Sequence, residues 1–269
     1  MDRSAPTWHR TFLLRRFLPL LAVGLLASGP AQAQTSPSPE TPDSVLVQVD
    51  ELRGDGRFQK AISRLKTLRR EYGDDVEILW RLSLTEVDLA KTLEEKDERK
   101  PHYRTALAFA DTALTVDSTS AHAHLAKAVA EGRIALDAGT RERVQRSRAV
   151  KTHADRAIEL DDTLPGAYHT RARWNREASD LNFFERAIVK TVYGGLPESS
   201  FEQAVRDFKR AIELENVRFH HLELAKTYLK MDRTAEARSE LQTVLELPAR
   251  EPFDQQYKTE AQTLLEELE

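Results

Sequence analysis

The 269-residue sequence predicts an all-α fold, an α-solenoid of stacked antiparallel helical hairpins, on three observations. From Val45 onward apolar residues recur at spacings of three and four, the helical period, and no stretch longer than a few residues alternates as a strand would. Five segments share a motif: an aromatic or apolar residue, an Ala three later, then a small or apolar residue at each of the next two turns. Three of them end alike, in ALTVDSTS at 113–120, AIELDDT at 157–163 and AIELENV at 211–217. Those endings read as the turn that closes one hairpin and opens the next.

The elements follow in order. Residues 1–33 carry Arg3, Arg10, Arg15 and Arg16, an apolar run from Phe17 to Leu26, and Ala31-Gln32-Ala33. That order of charge, apolar run and A-x-A is a secretory signal peptide, with cleavage expected after Ala33. The run is roughly half of what a membrane-spanning helix needs, so no transmembrane anchor is expected after cleavage. Residues 34–43, QTSPSPETPD, hold three prolines and no bulky apolar side chain, and read as a linker. Residues 44–269 form the repeat domain.

Phe58, Ala61, Leu65 and Leu68 give the first motif, Tyr103, Ala106, Ala110 and Ala113 the second, and Val150, Ala154 and Ala157 a looser third. Phe201, Ala204, Phe208 and Ala211 give the fourth, and Ala237, Leu241 and Val244 the last. The small residues allow two helices to approach to roughly 8–10 Å, and a lone hairpin leaves one face uncovered, so the hairpins must stack. The last step matches a tetratricopeptide repeat; the earlier, longer steps require insertions near 92–102, 137–148 and 176–200. The third insertion contains LNFFERAIVKTVY, stopped by Gly194-Gly195 with Pro197 beyond, and predicts an extra helix.

The pattern resembles the tetratricopeptide repeat, with L-A-x-x-Y at Leu224-Ala225 to Tyr228 in a first helix and Y-x-x-A at Tyr103 to Ala106 in a second. Several features outside the repeat narrow this: Trp174, the Phe183-Phe184-x-Arg186 segment, Pro197-x-Ser199-Ser200-Phe201, and a closing helix over 254–265. In that order they resemble the regulator of microtubule dynamics proteins, over about 130–269 well and over 44–130 as generic repeat. The resemblance implies a helical-repeat fold. It leaves the partner open, because eukaryotic members are linked to microtubules and organelle membranes often through segments outside the repeats.

Composition excludes several function classes. With no cysteine there is no disulfide, zinc-thiolate site or thiol nucleophile. Without the leader the chain keeps 36 basic and 43 acidic residues, net −7, with both signs interspersed, which argues against a nucleic-acid partner. His122 and His124 are two apart and His220 and His221 adjacent, so neither pair has the spacing of a helical zinc site. No Gly-rich phosphate loop or G-x-S-x-G elbow is present. No catalytic residue, cofactor or metal site is expected, and the chain reads as no enzyme.

The expected activity is a protein- or peptide-binding scaffold in the cell envelope, periplasmic or secreted. Partner contacts are expected from non-core positions of the first helices: His122 and Lys127, then Tyr168, Arg171 and Trp174 three apart, then Phe219, Lys226 and Lys230. The bland alternative packs Tyr168 and Trp174 under the extra helix and leaves Arg171 solvated. A second functional class, a carrier of a lipid or other apolar ligand, requires an apolar cavity near Phe183, Phe184, Val192 and Tyr193.

Overall fold

The computed structural model describes residues 42–269. The leader and residues 34–41 of the linker fall outside them, while Pro42 and Asp43, expected to end the linker, form the first turn of a helix. Among the described residues all regular structure is helical. Helices α1 (Pro42–Gly54) and α2 (Phe58–Tyr72) make the first hairpin, α3 (Val76–Lys91) and α4 (Lys96–Val116) the second, and α5 (Ala121–Asp137) and α6 (Thr140–Leu160) the third. The fourth starts with α7 (Pro165–Ser179), inserts α8 (Phe183–Tyr193), and closes with α9 (Phe201–Leu214). Helices α10 (Arg218–Lys230) and α11 (Thr234–Glu246) make the fifth, and α12 (Asp254–Glu266) packs on it.

The recurring sequence endings are capping devices. In the turn after α4, Thr119 N–H donates to Asp117 Oδ1 at 2.8 Å, and after α6 Thr163 N–H donates to Asp161 Oδ1 at 2.9 Å. Short Asp side chains mimic a backbone turn in this way and stop a helix cleanly. Helix starts are held likewise: Asp75, Ser120, Asn182 and Ser200 each accept from backbone N–H groups of the first turn. Ala61, Ala106, Ala154, Ala204 and Ala237 are all fully buried where second helices cross their neighbours. A larger side chain at any of these positions would push two backbones apart.

Two of the three sequence insertions are not loops. Residues 96–102 and 140–148 extend α4 and α6 to 21 residues each, against 13 in α11. Both stretches are rich in Lys, Glu and Arg, good helix formers, and both place an acid in the first turn, where the helix dipole favours it.

The first helices form an inner layer, in which α3 neighbours α5, α5 neighbours α7, α7 neighbours α10 and α10 neighbours α12. This layer bends until its far end returns to its start. Phe253, just before α12, stacks on Phe58 of α2 with ring centroids 5.7 Å apart, and Lys91 Nζ at the end of α3 lies 3.7 Å from the Phe253 ring centroid. Gly56 closes the seam: it sits at φ 74°, and a Cβ there would come 3.3 Å from Pro252. The superhelix is thus latched across its own ends.

Candidate binding groove

The inner layer carries a regularity within the first helices. In four of these helices a small residue is followed by a base: Ala90-Lys91, Gly132-Arg133, Ala172-Arg173 and Ala225-Lys226. The three alanines are fully buried, and a Cβ on Gly132 would meet Val150 at 3.6 Å. Burying the small residue against its own hairpin turns the next residue toward the concave side, where the four bases gather.

Their partners are unequal. Lys226 pairs with Glu223 at 3.0 Å and with Glu260 at 2.6 Å. Arg173 lies 3.4 Å from Glu223, but its buried Nε makes no hydrogen bond. Lys91 approaches Asp88 at 3.5 Å, and Asp88 is already paired with Arg53 at 2.7 Å. Arg133 has neither hydrogen bond nor ion pair among the described residues; Tyr103, Tyr257 and Asp88 act on it from a distance. Burial and the like charge of Arg173 push its guanidinium below the usual Arg range. Burial also lowers Lys91, with Arg133 adding to the effect against Asp88 and Glu251. A cationic group so recessed is stabilised by an arriving anion more than an exposed one would be.

Around the bases lies a buried polar frame. Glu223 receives Arg176 Nη2 at 2.7 Å, and burial, which alone would raise its carboxyl, is outweighed by Arg173, Arg176 and Lys226, which hold it far below the carboxylate range. His169 and His220 face each other Nδ1 to Nδ1 at 2.7 Å, so one ring donates and the other accepts. Burial, then His220, keeps His169 neutral, with a pKa well below 6.5. The Nε2 atoms of both rings are buried without a hydrogen bond. Phe219 forms an aromatic wall beside them, stacked between His169 at 4.1 Å and Tyr257 at 5.0 Å. Across the seam, burial and the neighbouring Glu215 and Asp254 raise Glu251 to about 7.

The inner layer therefore gathers four bases, of which Arg133 has no pair among the described residues, beside a cluster of the buried His169, His220 and Tyr257 and the half-buried Phe219. Of the residues expected to touch a partner, Phe219 and Lys226 belong to this group. The others lie elsewhere. His122 stacks on Trp80 at 4.6 Å, Lys127 pairs with Asp111 of α4 at 2.8 Å, and Lys230 pairs with Asp180 at 2.8 Å on the surface.

Tyr168, Arg171 and Trp174 do not form one face. Trp174 is buried with Val150, Ala178 and Leu196 and donates to Ser147 Oγ at 2.9 Å, so it is core. Arg171, expected in the bland alternative to be solvated, makes a two-pronged pair with Asp207 at 2.9 and 2.7 Å and reaches Asp155 at 3.3 Å, tying α7 to α9 and α6. Tyr168 stands between the Arg171 and Arg210 guanidinia, 5.5 and 6.0 Å from its ring centroid. Spacing by three was a sound sign of proximity, but over six residues the helix turns far enough to send Trp174 into the hairpin. Lys91, Arg133, Arg173, His169, Glu223 and Tyr257 were not singled out in the sequence; the small-then-basic doublet is the signal that would have found the first three.

The extra helix also departs from expectation. Of the four side chains required to line a cavity, Phe183, Phe184 and Val192 are exposed and Tyr193 is half-buried. Among the described residues, none of them packs around an enclosed space, and no helix is long and apolar enough to cross a membrane.

Comparison with known proteins places these features. A family model described as "Regulator of microtubule dynamics protein 1-3" matches residues 45–269. Regulator of microtubule dynamics protein 3 of Rattus norvegicus is 29% identical over 252 residues, 91% of this chain and 53% of that protein. Regulator of microtubule dynamics protein 1 of Mus musculus is 30% identical over 228 residues, 83% of this chain and 73% of that protein. The chain thus spans about half the length of the first relative. Among solved structures, a thermophilic TPR protein of Thermus thermophilus aligns with TM-score 0.60 at 19% identity, over 83% of this chain and 98% of that one. A tetratricopeptide repeat protein from Parabacteroides merdae aligns with TM-score 0.50 at 13% identity, over 86% of this chain and 75% of that one. These likenesses establish an α-solenoid of helical hairpins.

Proposed function

The chain belongs to the regulator of microtubule dynamics protein family, and from that premise we propose that it is a non-catalytic scaffold whose inner groove holds an acidic segment of a partner protein. One observation carries the reading: four bases at equivalent places in four first helices converge on the groove, and Arg133 among them has no partner among the described residues. A guanidinium kept recessed and unpaired costs stability unless something visits it. A peptide carboxylate would supply the missing acceptor.

The scaffold is proposed to act after export, in the periplasm or outside the cell, as the leader predicts. The relatives' names attach them to microtubule dynamics, which an exported chain does not meet, so that activity is not carried over. The apolar-ligand carrier is the weaker reading, because three of the four side chains it required in a cavity, Phe183, Phe184 and Val192, stand on the surface.

The test is fluorescence anisotropy of a labelled Glu-rich peptide against the wild type and Arg133→Gln. The expected outcome is binding that weakens with salt and falls about tenfold or more in the variant, the loss of one charge-assisted hydrogen bond. Because Arg133 pairs with nothing among the described residues, the variant's melting temperature should hold or rise. Equal affinity for the variant would remove the groove as the site. Export is read separately, from a mature N-terminus at Gln34.

A further inference from the structure

Helix α8 is inside out. Of its eleven residues only Val189 is buried, while Phe183 is 80% exposed, Phe184 76%, Ile188 50% and Val192 64%. Phe184, Ile188 and Val192 are spaced by four and share one face, with Phe183 beside them. A helix this short is marginal on its own in water, and a contiguous exposed apolar face marks an interaction surface. Yet the helix is well fixed. Asn182 and Glu185 form a capping box, Gly194 in the left-handed region (φ 76°) stops it, and Arg148 of α6 clamps its end through the Tyr193 and Gly195 carbonyls. The fold spends a cap, a stop and an arginine to hold an apolar stripe facing outward.

The charges at its edge select the occupant. Lys190 is exposed and has no ion pair among the described residues, and Arg186, also exposed, reaches only the Ser179 and Leu181 carbonyls. Arg141 of α6, exposed and without a pair among the described residues, stands two helical turns before Arg148 on the side of α6 that meets α8. The acid of the helix, Glu185, is engaged in its own cap. An apolar face with aromatics at its head and bases along one edge is the design of a helix that lies in a bilayer interface. A second copy fits less well: antiparallel pairing of two α8 helices sets each basic edge against its own kind.

We propose that α8 is a membrane-docking helix, which seats Phe183, Phe184, Ile188 and Val192 among the acyl chains of an anionic lipid surface while Lys190, Arg186 and Arg141 meet its headgroups.

The natural chain lacks cysteine, so Ile188→Cys gives the full chain one attachment point for an environment-sensitive fluorophore. The labelled protein is titrated with vesicles of phosphatidylglycerol and phosphatidylcholine in equal parts, and with vesicles of phosphatidylcholine alone. A blue shift on the anionic vesicles is expected, reporting position 188 itself and hence independent of any binding by the leader. Lys190→Glu should weaken it about fivefold or more, and added salt should weaken it further. Phe184→Asp should abolish it while the far-ultraviolet helical signal stays. No shift on either vesicle overturns the proposal, as does an equal shift on both. A shift without vesicles, with a doubled mass by light scattering that Phe184→Asp returns to one chain, overturns it in favour of a second copy.

Discussion

Glu223 has three cations around one buried carboxylate, and removing its charge should be far more damaging than its single position suggests. Glu223→Gln keeps the shape but leaves Arg173, Arg176 and Lys226 to repel one another in a recess. A loss of roughly 3–5 kcal/mol in urea unfolding at neutral pH is expected. Its carboxyl is depressed in the fold, so its contribution is complete above the ordinary 4.5 and is lost as pH falls toward the folded value. Two histidines lowered by burial, His169 and the half-buried His153, act in the same direction over a higher range. His153, lowered to about 4 chiefly by burial, costs stability as pH drops from 6.5, where the unfolded chain takes up a proton that the fold refuses.

Glu251 has the opposite sign. Raised to about 7, it is favoured in its protonated form, so its contribution is present below 4.5 and vanishes as pH rises through 7. Glu251→Gln should therefore melt higher than the wild type at pH 8 and near it at pH 5, as scanning calorimetry at the two values would show. A variant less stable at both would refute the assignment.

At the scale of elements, the small residues of the crossings divide into two kinds. Ala172→Leu should cost roughly 1–3 kcal/mol or more, because α7 meets Ala204 and Phe208 of α9 there with no space to give. Gly132→Ala should do the reverse. Its backbone is ordinary helix, the new methyl would find Val150 at 3.6 Å, and removing a helical glycine should stabilise by roughly 0.5–1 kcal/mol. Paired thermal melts of the two variants would separate these outcomes.

The same crossings explain what the sequence disclosed. Ala61, Ala106 and Ala204 were legible because one geometric need, close helix approach, repeats in every hairpin and leaves a periodic mark. Helix α8 was legible as a helix because its stop signals are local. Its orientation was not, since Phe183 and Phe184 beside a helical insertion read equally as cavity lining and as surface. The groove was half legible. Phe219 and Lys226 sit in the most regular repeat, where the register is clear. In contrast, Arg133 and Arg173 fall in repeats whose long insertions hide it, and Glu251 is brought in by a bend of the whole superhelix that no local pattern encodes.

For the molecule as a whole, stacked hairpins ordinarily behave as a line in which each unit senses only its neighbours. The seam between Phe253 and Phe58 joins units far apart in that line. It should couple their unfolding: a single transition in the wild type, and in Phe253→Ala a broader one with faster amide exchange in both α2 and α12. Unchanged exchange in α2 would mean that the ends are adjacent without being coupled.

An open solenoid is a spring, whose pitch and width drift with temperature and load. Latching its ends converts the spring into a hoop. The radius of the hoop, and so the distance between Lys91 on one wall and Lys226 on another, is then set before any partner arrives. A guest meets a receptacle of fixed gauge and loses less of its affinity to ordering the host. The same rigidity sets a limit on the architecture: one more hairpin inserted between α6 and α7 would not lengthen the groove but would part Phe253 from Phe58 and turn the hoop back into a spring.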